Sequence, residues 1–126
     1  MIFKELSLEG VFLIELEKIE DERGFFSRAW DKKEFENNGM NSNLSQCNIS
    51  FNKNRGTIRG MHFQKDPYAE AKTIRCTRGK VFEVLLDIRI DSPTFHKWIS
   101  VELDEKKYEI LYVHIIFIIY YWFFPR

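Results

Sequence analysis

The chain has 126 residues, of which 44% are hydrophobic and 16% aromatic, so it can bury the core of one globular domain and is not expected to be disordered. Nineteen basic and nineteen acidic side chains cancel, which leaves no broad positive surface for a nucleic-acid backbone or an anionic membrane. We therefore expect no nucleic-acid partner, and any phosphate must be recognised by local side chains.

The N-terminal residues and the cysteines indicate in which cellular compartment the protein is located. The stretch MIFKELSLEG (1–10) has no basic segment followed by an apolar run, so no secretory signal is predicted. Cys47 and Cys76 are isolated, without a C-x-x-C motif or metal-ligand spacing. We expect both to be small, buried apolar groups in a reducing compartment, which predicts a cytoplasmic protein.

The first third of the chain predicts a strand, a turn and one short helix. GVFLIELE (10–17) has the composition of a strand, and EDERG (20–24) that of a turn. DKKEFENNG (31–39) predicts the helix, because Asp31 can cap its N-terminus with Glu34 in the capping-box position, and Gly39 is a natural stop.

From residue 44 onwards the chain predicts short strands separated by polar or glycine-containing turns. Such a succession, with almost no helix, indicates an all-β domain built as an antiparallel sandwich or barrel. The predicted strands are residues 44–51, 57–64, 71–76, 80–89, 97–103 and 108–113.

The predicted strand LSQCNISF (44–51) has one polar face. Strand side chains alternate, so Gln46, Asn48 and Ser50 share a face opposite the apolar residues. This face either meets solvent or lines a barrel lumen with amides that bind a ligand.

The stretch TIRGMHFQ (57–64) carries charge where a core strand would be apolar. Arg59 and His62 point to opposite faces of a regular strand, but a β-bulge at Gly60 would bring them to the same side. Lys72 adds a cation on a neighbouring predicted strand. Three such groups in one cavity would favour an anion or a reaction that develops negative charge.

Each of these residues also has a purely structural interpretation. A single strand histidine is commonly structural, and the Lys72 ammonium can reach solvent along its aliphatic stem. We expect no metal site, because His62 has no partner histidine at i+2, and the other histidines, His96 and His114, lie in unrelated contexts.

Five motifs in order resemble those of the dTDP-4-dehydrorhamnose 3,5-epimerase family. They are DERGFF (21–26), QCNIS (46–50), IRGMHFQ (58–64), AKTIRC (71–76) and SPTFHKW (92–98), and the similarity extends from about Glu5 to Val113. The resemblance implies a cupin-type jelly roll that needs neither metal nor cofactor and is usually a homodimer. It also implies a dTDP-linked 4-keto-6-deoxyhexose substrate on the route to rhamnose and cell-surface polysaccharide.

The same resemblance assigns residue roles. His62 matches the family's general base and Lys72 its enolate-stabilising lysine, with Arg59 beside the base. The positions that hold the nucleotide and its diphosphate match Arg23, Phe26, Gln46 and Asn48.

These residue types suit epimerisation at C3 and C5. Each proton removed lies beside the C4 carbonyl, so an enolate forms whose oxygen needs a fixed positive charge. An imidazole exchanges protons near neutral pH, and inversion then requires an acid on the opposite face of the sugar.

The match ends before the family's acid, a tyrosine, and before the aspartate that orients the histidine. The chain continues instead as HIIFIIYYWFFPR (114–126), so we expect an epimerase-like domain over residues 1–113, incomplete at its C-terminus, and an aberrant, out-of-frame apolar tail. The apolar run 110–124 is too short for a membrane-spanning helix, which needs about twenty residues. The tail forms either one buried strand or an exposed aggregation-prone segment. No motif selects among the candidate replacement acids, Tyr108, Tyr112, Tyr120 and Tyr121.

Three functions follow from the resemblance. The first is 3,5-epimerisation of dTDP-4-dehydro-6-deoxyglucose. The second keeps the fold and acts at one carbon only, or as a dTDP-sugar ketoisomerase. The third is a catalytically silent module that binds a dTDP-sugar through Arg23, Gln46, Asn48 and Arg59.

Overall fold

Two four-stranded antiparallel sheets pack against each other in the computed structural model, which describes residues 1–115 and 117–124 without the side chains of residues 118, 120 and 124. The elements in chain order are β1 (Ile2–Glu5), β2 (Val11–Glu15), β3 (Ile19–Asp21), β4 (Gly24–Phe26), α1 (Lys32–Asn37), β5 (Ile58–His62), β6 (Lys72–Arg75), β7 (Lys80–Asp87), β8 (Trp98–Asp104), β9 (Ile110–Val113) and β10 (Phe117–Phe124).

The strand order explains how distant parts of the chain meet. The first sheet runs β1-β2-β9-β6 and the second runs β5-β10-β7-β8, while β3 and β4 form a separate hairpin. Every pairing is antiparallel. Non-consecutive neighbours within each sheet are typical of sandwiches with long connections between strands.

The main core lies between the two sheets. Alternation along β7 turns Val81, Glu83, Leu85 and Asp87 inward and buries all four, as a period of two requires. Leu111 and Val113 meet them from β9 in the facing sheet. Each large apolar side chain buried here stabilises the fold by about 1.5–3 kcal/mol.

The predicted helix is confirmed and covers the outer face of the first sheet. The Asp31 carboxylate accepts a hydrogen bond from the Glu34 backbone nitrogen at 3.0 Å, which caps the first turn. Gly39 follows the helix with φ +73°, a conformation that favours glycine. Phe35 packs on Tyr112 with ring centroids 6.1 Å apart, which forms a second small core.

The predicted strand over residues 44–51 is wrong. The segment has no regular hydrogen-bonded structure, and both of its faces are exposed: Ile49 is 96% accessible and Gln46 is exposed as well. A strand requires a neighbouring backbone to pair with, and alternation alone does not supply one. Cys47 lies in this segment and is exposed, so the expectation that both cysteines are buried is also wrong.

The apolar tail contains a central strand. β10 pairs with β7 along its full length, from Phe117 opposite Asp87 to Phe124 opposite Lys80, and pairs with β5 on its other side. Phe117 and Ile119 are 3% and 1% exposed. Of the two conformations considered for the tail, the structure therefore has the buried strand over residues 117–124. The predicted domain boundary at residue 113 and the out-of-frame origin of the tail remain predictions.

A buried carboxylate fixes the turn after β7. The Arg89 guanidinium donates to the Asp87 carboxylate at 2.7 and 3.0 Å, and the hydroxyls of Ser92 and Thr94 each donate to it at 2.6 Å. Burial alone would raise the pKa of Asp87, but these hydrogen bonds outweigh it and hold the pKa well below its usual value.

Replacing Asp87 with asparagine is expected to lower the free energy of unfolding by about 1–3 kcal/mol near neutral pH, since the charged network loses its acceptor. Because the folded pKa lies below the unfolded one, the carboxylate's contribution is complete above about pH 4 and is lost as pH falls toward the folded pKa. Urea unfolding at several acidic pH values measures this. The exposed residue Asp91 offers a matched control, and equal acid sensitivity of Asp87→Asn and Asp91→Asn would contradict the expectation.

Within the described ranges, no helix is long and apolar enough to cross a membrane.

Candidate active site

The bulge predicted in β5 is present and turns two functional side chains to one face. Arg59 pairs with Tyr121 and His62 pairs with Ile119, so three steps along β5 correspond to two along β10. Gly60, with φ +114°, lies inside this irregularity. Paired residues share a face, and residues 119 and 121 lie on the same side of β10, so Arg59 and His62 both lie on the inner face of the sheet. Both side chains are exposed, because β5 is the edge strand of this sheet.

Lys72 reaches the same interior from the other sheet. It pairs with the buried residue Val113 on β9, and alternation along β6 puts Lys72 and Ile74 inward and Thr73 and Arg75 outward. The Lys72 ammonium forms an ion pair with Glu70. The sandwich therefore presents a histidine from one sheet and a lysine from the other to a common space.

Tyr121 lies beside His62. Their ring centroids are 5.8 Å apart with the planes inclined by 31°. Burial, together with the charges of Glu83 and Glu70, raises the pKa of the Tyr121 phenol. The phenol therefore keeps its proton, which is the state required of a proton donor.

The structure distinguishes Tyr121 from the other tyrosines considered as acids. Tyr108 packs on Phe25 of the β3–β4 hairpin. Tyr112 lies in the outer core, where its hydroxyl accepts a hydrogen bond from the Asn41 backbone at 2.9 Å. The Tyr120 side chain is outside the described residues. Tyr121 is thus the described tyrosine that contacts the candidate base.

Glu83 is an interior residue that we did not single out from the sequence. It is fully buried on β7 and pairs with Tyr121 on one side and with Val101 on the other. Neither carboxylate oxygen has a hydrogen-bond partner among the described residues. The sequence does contain a signal for it, because an acidic residue stands between the apolar inward positions Val81 and Leu85 of an alternating strand.

The five inward-facing residues Arg59, His62, Lys72, Glu83 and Tyr121 are called the lumen cluster below. It contains a base, two cations, a phenol and a carboxyl group. These groups can together remove a proton, stabilise the resulting negative charge and return a proton. A set of this kind suits isomerisation beside a carbonyl.

The residues expected to bind the nucleotide are more dispersed. The Arg59 guanidinium donates to the Asn52 side chain at 2.6 Å, so it links the lumen cluster to the loop that follows Gln46 and Asn48. The side chains of Gln46 and Asn48 are exposed.

Arg23 and Phe26 lie on the separate β3–β4 hairpin. The Arg23 guanidinium pairs with Asp21 at 2.5 Å and its side chain is 82% exposed. Phe26 lines a surface cleft of about 210 Å³ together with Ile19 and Arg28. The structure of one chain therefore does not bring these two residues into the lumen cluster.

In the described ranges, 1–115 and 117–124, no three His, Cys, Asp or Glu side chains are grouped so that they could hold a metal ion.

The order of these elements matches known proteins over nearly the whole chain. A family model described as dTDP-4-dehydrorhamnose 3,5-epimerase matches residues 5–118. The chain belongs to the dTDP-4-dehydrorhamnose 3,5-epimerase family.

A relative of that name from Sinorhizobium fredii is 43% identical over 113 residues, which are 90% of this chain and 58% of the relative. The chain thus spans less than two thirds of that relative's length.

Solved structures of the family share the fold. The epimerase of Elizabethkingia anophelis superposes with a TM-score of 0.94 at 34% identity, covering 99% of this chain and 68% of its own. The Bacillus anthracis epimerase, solved with TDP and PPi bound, superposes with a TM-score of 0.91 at 34% identity. The match covers 98% of this chain and 71% of the Bacillus anthracis chain. The predicted all-β cupin-type sandwich with one short helix is confirmed.

Proposed function

We propose that the chain epimerises dTDP-4-dehydro-6-deoxyglucose at C3 and C5, as the family name indicates for its members. The observation that carries the proposal is the contact between His62 and Tyr121 on the inner face of the second sheet, with Lys72 on the inner face of the first sheet. Base, acid and enolate-stabilising cation are thereby available in one interior.

The proposed reaction begins with proton abstraction. The His62 imidazole takes the proton from the sugar carbon beside the C4 carbonyl, and the electron pair moves to the carbonyl oxygen. The positive charge of Lys72, supported by Arg59, stabilises this enolate oxygen. The Tyr121 hydroxyl then donates its proton to the carbon, and the centre is inverted when the sugar presents its other face to this hydroxyl.

The nucleotide half of the substrate is proposed to be bound through Arg59, Gln46, Asn48, Arg23 and Phe26. A guanidinium group can donate two parallel hydrogen bonds to phosphate oxygens. An exposed phenylalanine ring offers a surface on which the nucleotide's thymine ring can stack. This assignment is consistent with the exposure of these residues in the single chain.

We also propose a homodimer. The 44–51 segment exposes Leu44, Ile49 and Phe51 at 60%, 96% and 74%. Exposed apolar groups so close together favour contact with a second copy, which would cover them.

A cytoplasmic location is proposed as well. Both cysteines are free, and Cys47 is exposed, which suits a reducing compartment.

A dTDP-sugar-binding module without turnover is the second candidate. Its support is that, among the described residues, no carboxylate forms a hydrogen bond with the His62 imidazole to orient it. Such a protein would bind dTDP and leave the sugar unchanged.

Proton NMR of dTDP-4-dehydro-6-deoxyglucose in D₂O tests the proposal. Addition of the protein is expected to remove the C3 and C5 proton signals and to produce the inverted sugar. Loss of one signal would indicate action at a single carbon. Binding of dTDP without any exchange would overturn the catalytic proposal in favour of the binding module.

A further inference from the structure

Glu83 occupies the middle of the lumen cluster. Paired residues place Arg59, Tyr121, Glu83 and Val101 in one row across strands β5, β10, β7 and β8. Directly paired residues on one face have their Cβ atoms about 4.5–5.5 Å apart. The Glu83 side chain is thus the cross-strand neighbour of Tyr121, and its charge acts on the phenol proposed above as the acid.

The Glu83 carboxyl group is buried, and no hydrogen bond among the described residues offsets the loss of its hydration. It is 0% exposed, and neither oxygen has a hydrogen-bond partner among the described residues. A buried unpaired carboxylate is costly, so the neutral form is favoured. Burial accordingly raises the pKa of Glu83 to about 9, and the group carries a proton at neutral pH.

The charged groups around Glu83 belong to several elements. The titratable side chain paired with it is Tyr121 on β10, and Arg59 on β5 follows in the same row. His62 lies beside Tyr121, and Lys72 lies on β6 of the facing sheet. Glu70 also acts electrostatically on Tyr121. On the β8 side, Glu83 pairs with the apolar residue Val101.

A neutral carboxyl group in this position can neutralise the negative charge that the proposed reaction leaves on Tyr121. When Tyr121 has donated its proton, a tyrosinate remains in a largely buried space, and its charge is unfavourable there. If Glu83 were already ionised, two negative charges would lie side by side. A protonated Glu83 removes this penalty because it can transfer its proton to the phenolate.

We propose that Glu83 is a positioning residue that acts through Tyr121, returning a proton to the phenol after each inversion. The Tyr121 O–H bond breaks as the C–H bond of the sugar forms. The Glu83 O–H bond then breaks as the Tyr121 O–H bond forms again, and an intervening water carries the proton because no direct hydrogen bond joins the two groups. The exposed His62 imidazolium releases the proton it abstracted to solvent, and the same water path returns a proton from solvent to the buried Glu83 carboxylate. Protons are balanced over the cycle.

This inference rests on the proposed epimerase function, and two readouts separate their failures. The first compares deuterium exchange with inversion on the same substrate. Exchange needs the base and the enolate site, whereas inversion also needs Tyr121 in its protonated form. In Glu83→Gln, which keeps size and polarity, inversion relative to exchange is expected to fall about a hundredfold.

Two further variants sharpen this test. Glu83→Asp retains an ionisable proton and is expected to recover part of the inversion. Glu102→Gln alters an exposed carboxylate on β8 and should behave like the unaltered chain.

As pH rises through about 9, inversion by the unaltered chain should decline because Glu83 ionises, and Glu83→Gln should lack this decline. An unchanged ratio of inversion to exchange in Glu83→Gln would overturn the proposal.

The second readout needs no turnover. Tyrosinate formation is followed by ultraviolet absorbance, and the contribution of Tyr121 is obtained by subtracting the titration of Tyr121→Phe. Glu83→Gln removes a neighbouring negative charge, so the pKa of Tyr121 is expected to fall. An identical Tyr121 titration in Glu83→Gln and in the unaltered chain would show that the two groups are not coupled. That result would overturn the proposal even if the unaltered chain proved inactive.

Discussion

Replacing His62 with asparagine is expected to lower the rate of deuterium exchange at C3 and C5 by about 10²–10⁴-fold. Asparagine keeps a polar side chain on the inward face of β5 but cannot accept and release a proton as an imidazole does. The exchange rate is measured by proton NMR in D₂O under saturating substrate. Binding of dTDP, measured by calorimetry, should change little because the substitution leaves Arg59 and the bulge in place.

His96 provides the matched control for this experiment. It lies in the exposed turn before β8, with φ +63°, and asparagine tolerates this backbone conformation better than most residues. His96→Asn should therefore exchange deuterium at the unaltered rate. If His62→Asn also did so, another group would be the base, and the assignment of the lumen cluster would be wrong.

Replacing Ile119 with alanine is expected to lower the free energy of unfolding by about 2–5 kcal/mol. Ile119 is 1% exposed at the centre of β10 and packs in the main core. The loss is a large part of the total stability of a domain, which is typically about 5–15 kcal/mol. Urea unfolding followed by circular dichroism gives the change in midpoint at constant slope.

The control for Ile119 is the same substitution at Ile90, which is 80% exposed. Ile90→Ala should change stability by less than about 0.5 kcal/mol. Equal stability of the two variants would show that residues 117–124 do not pack in the core.

Features that depend only on residues close together in the sequence could be predicted from the sequence. The capping pair of Asp31 and Glu34 with Gly39 as a stop predicted the helix, because these contacts form within a few residues of chain. The bulge at Gly60 was predicted for a similar reason, since only an irregularity could bring Arg59 and His62 to one face.

Features that depend on distant partners could not be predicted in this way. The alternation over residues 44–51 is as regular as that of a strand, yet no neighbouring strand in the described ranges pairs with it. The choice of Tyr121 among the tyrosines depends on β10 pairing with β5, and the sequence contains no local signal for this contact. The importance of Glu83 likewise appears only when β7 and β10 are seen side by side.

The place of β10 between β5 and β7 has a consequence for synthesis of the protein. In the described part of the chain, β10 is the strand to which β5 is hydrogen-bonded. A nascent chain that has left the ribosome only as far as residue 115 carries His62 on a strand without its neighbour. The His62 imidazole and the Tyr121 phenol can meet only after β10 has emerged, so their contact forms after all the other described strands have been synthesised.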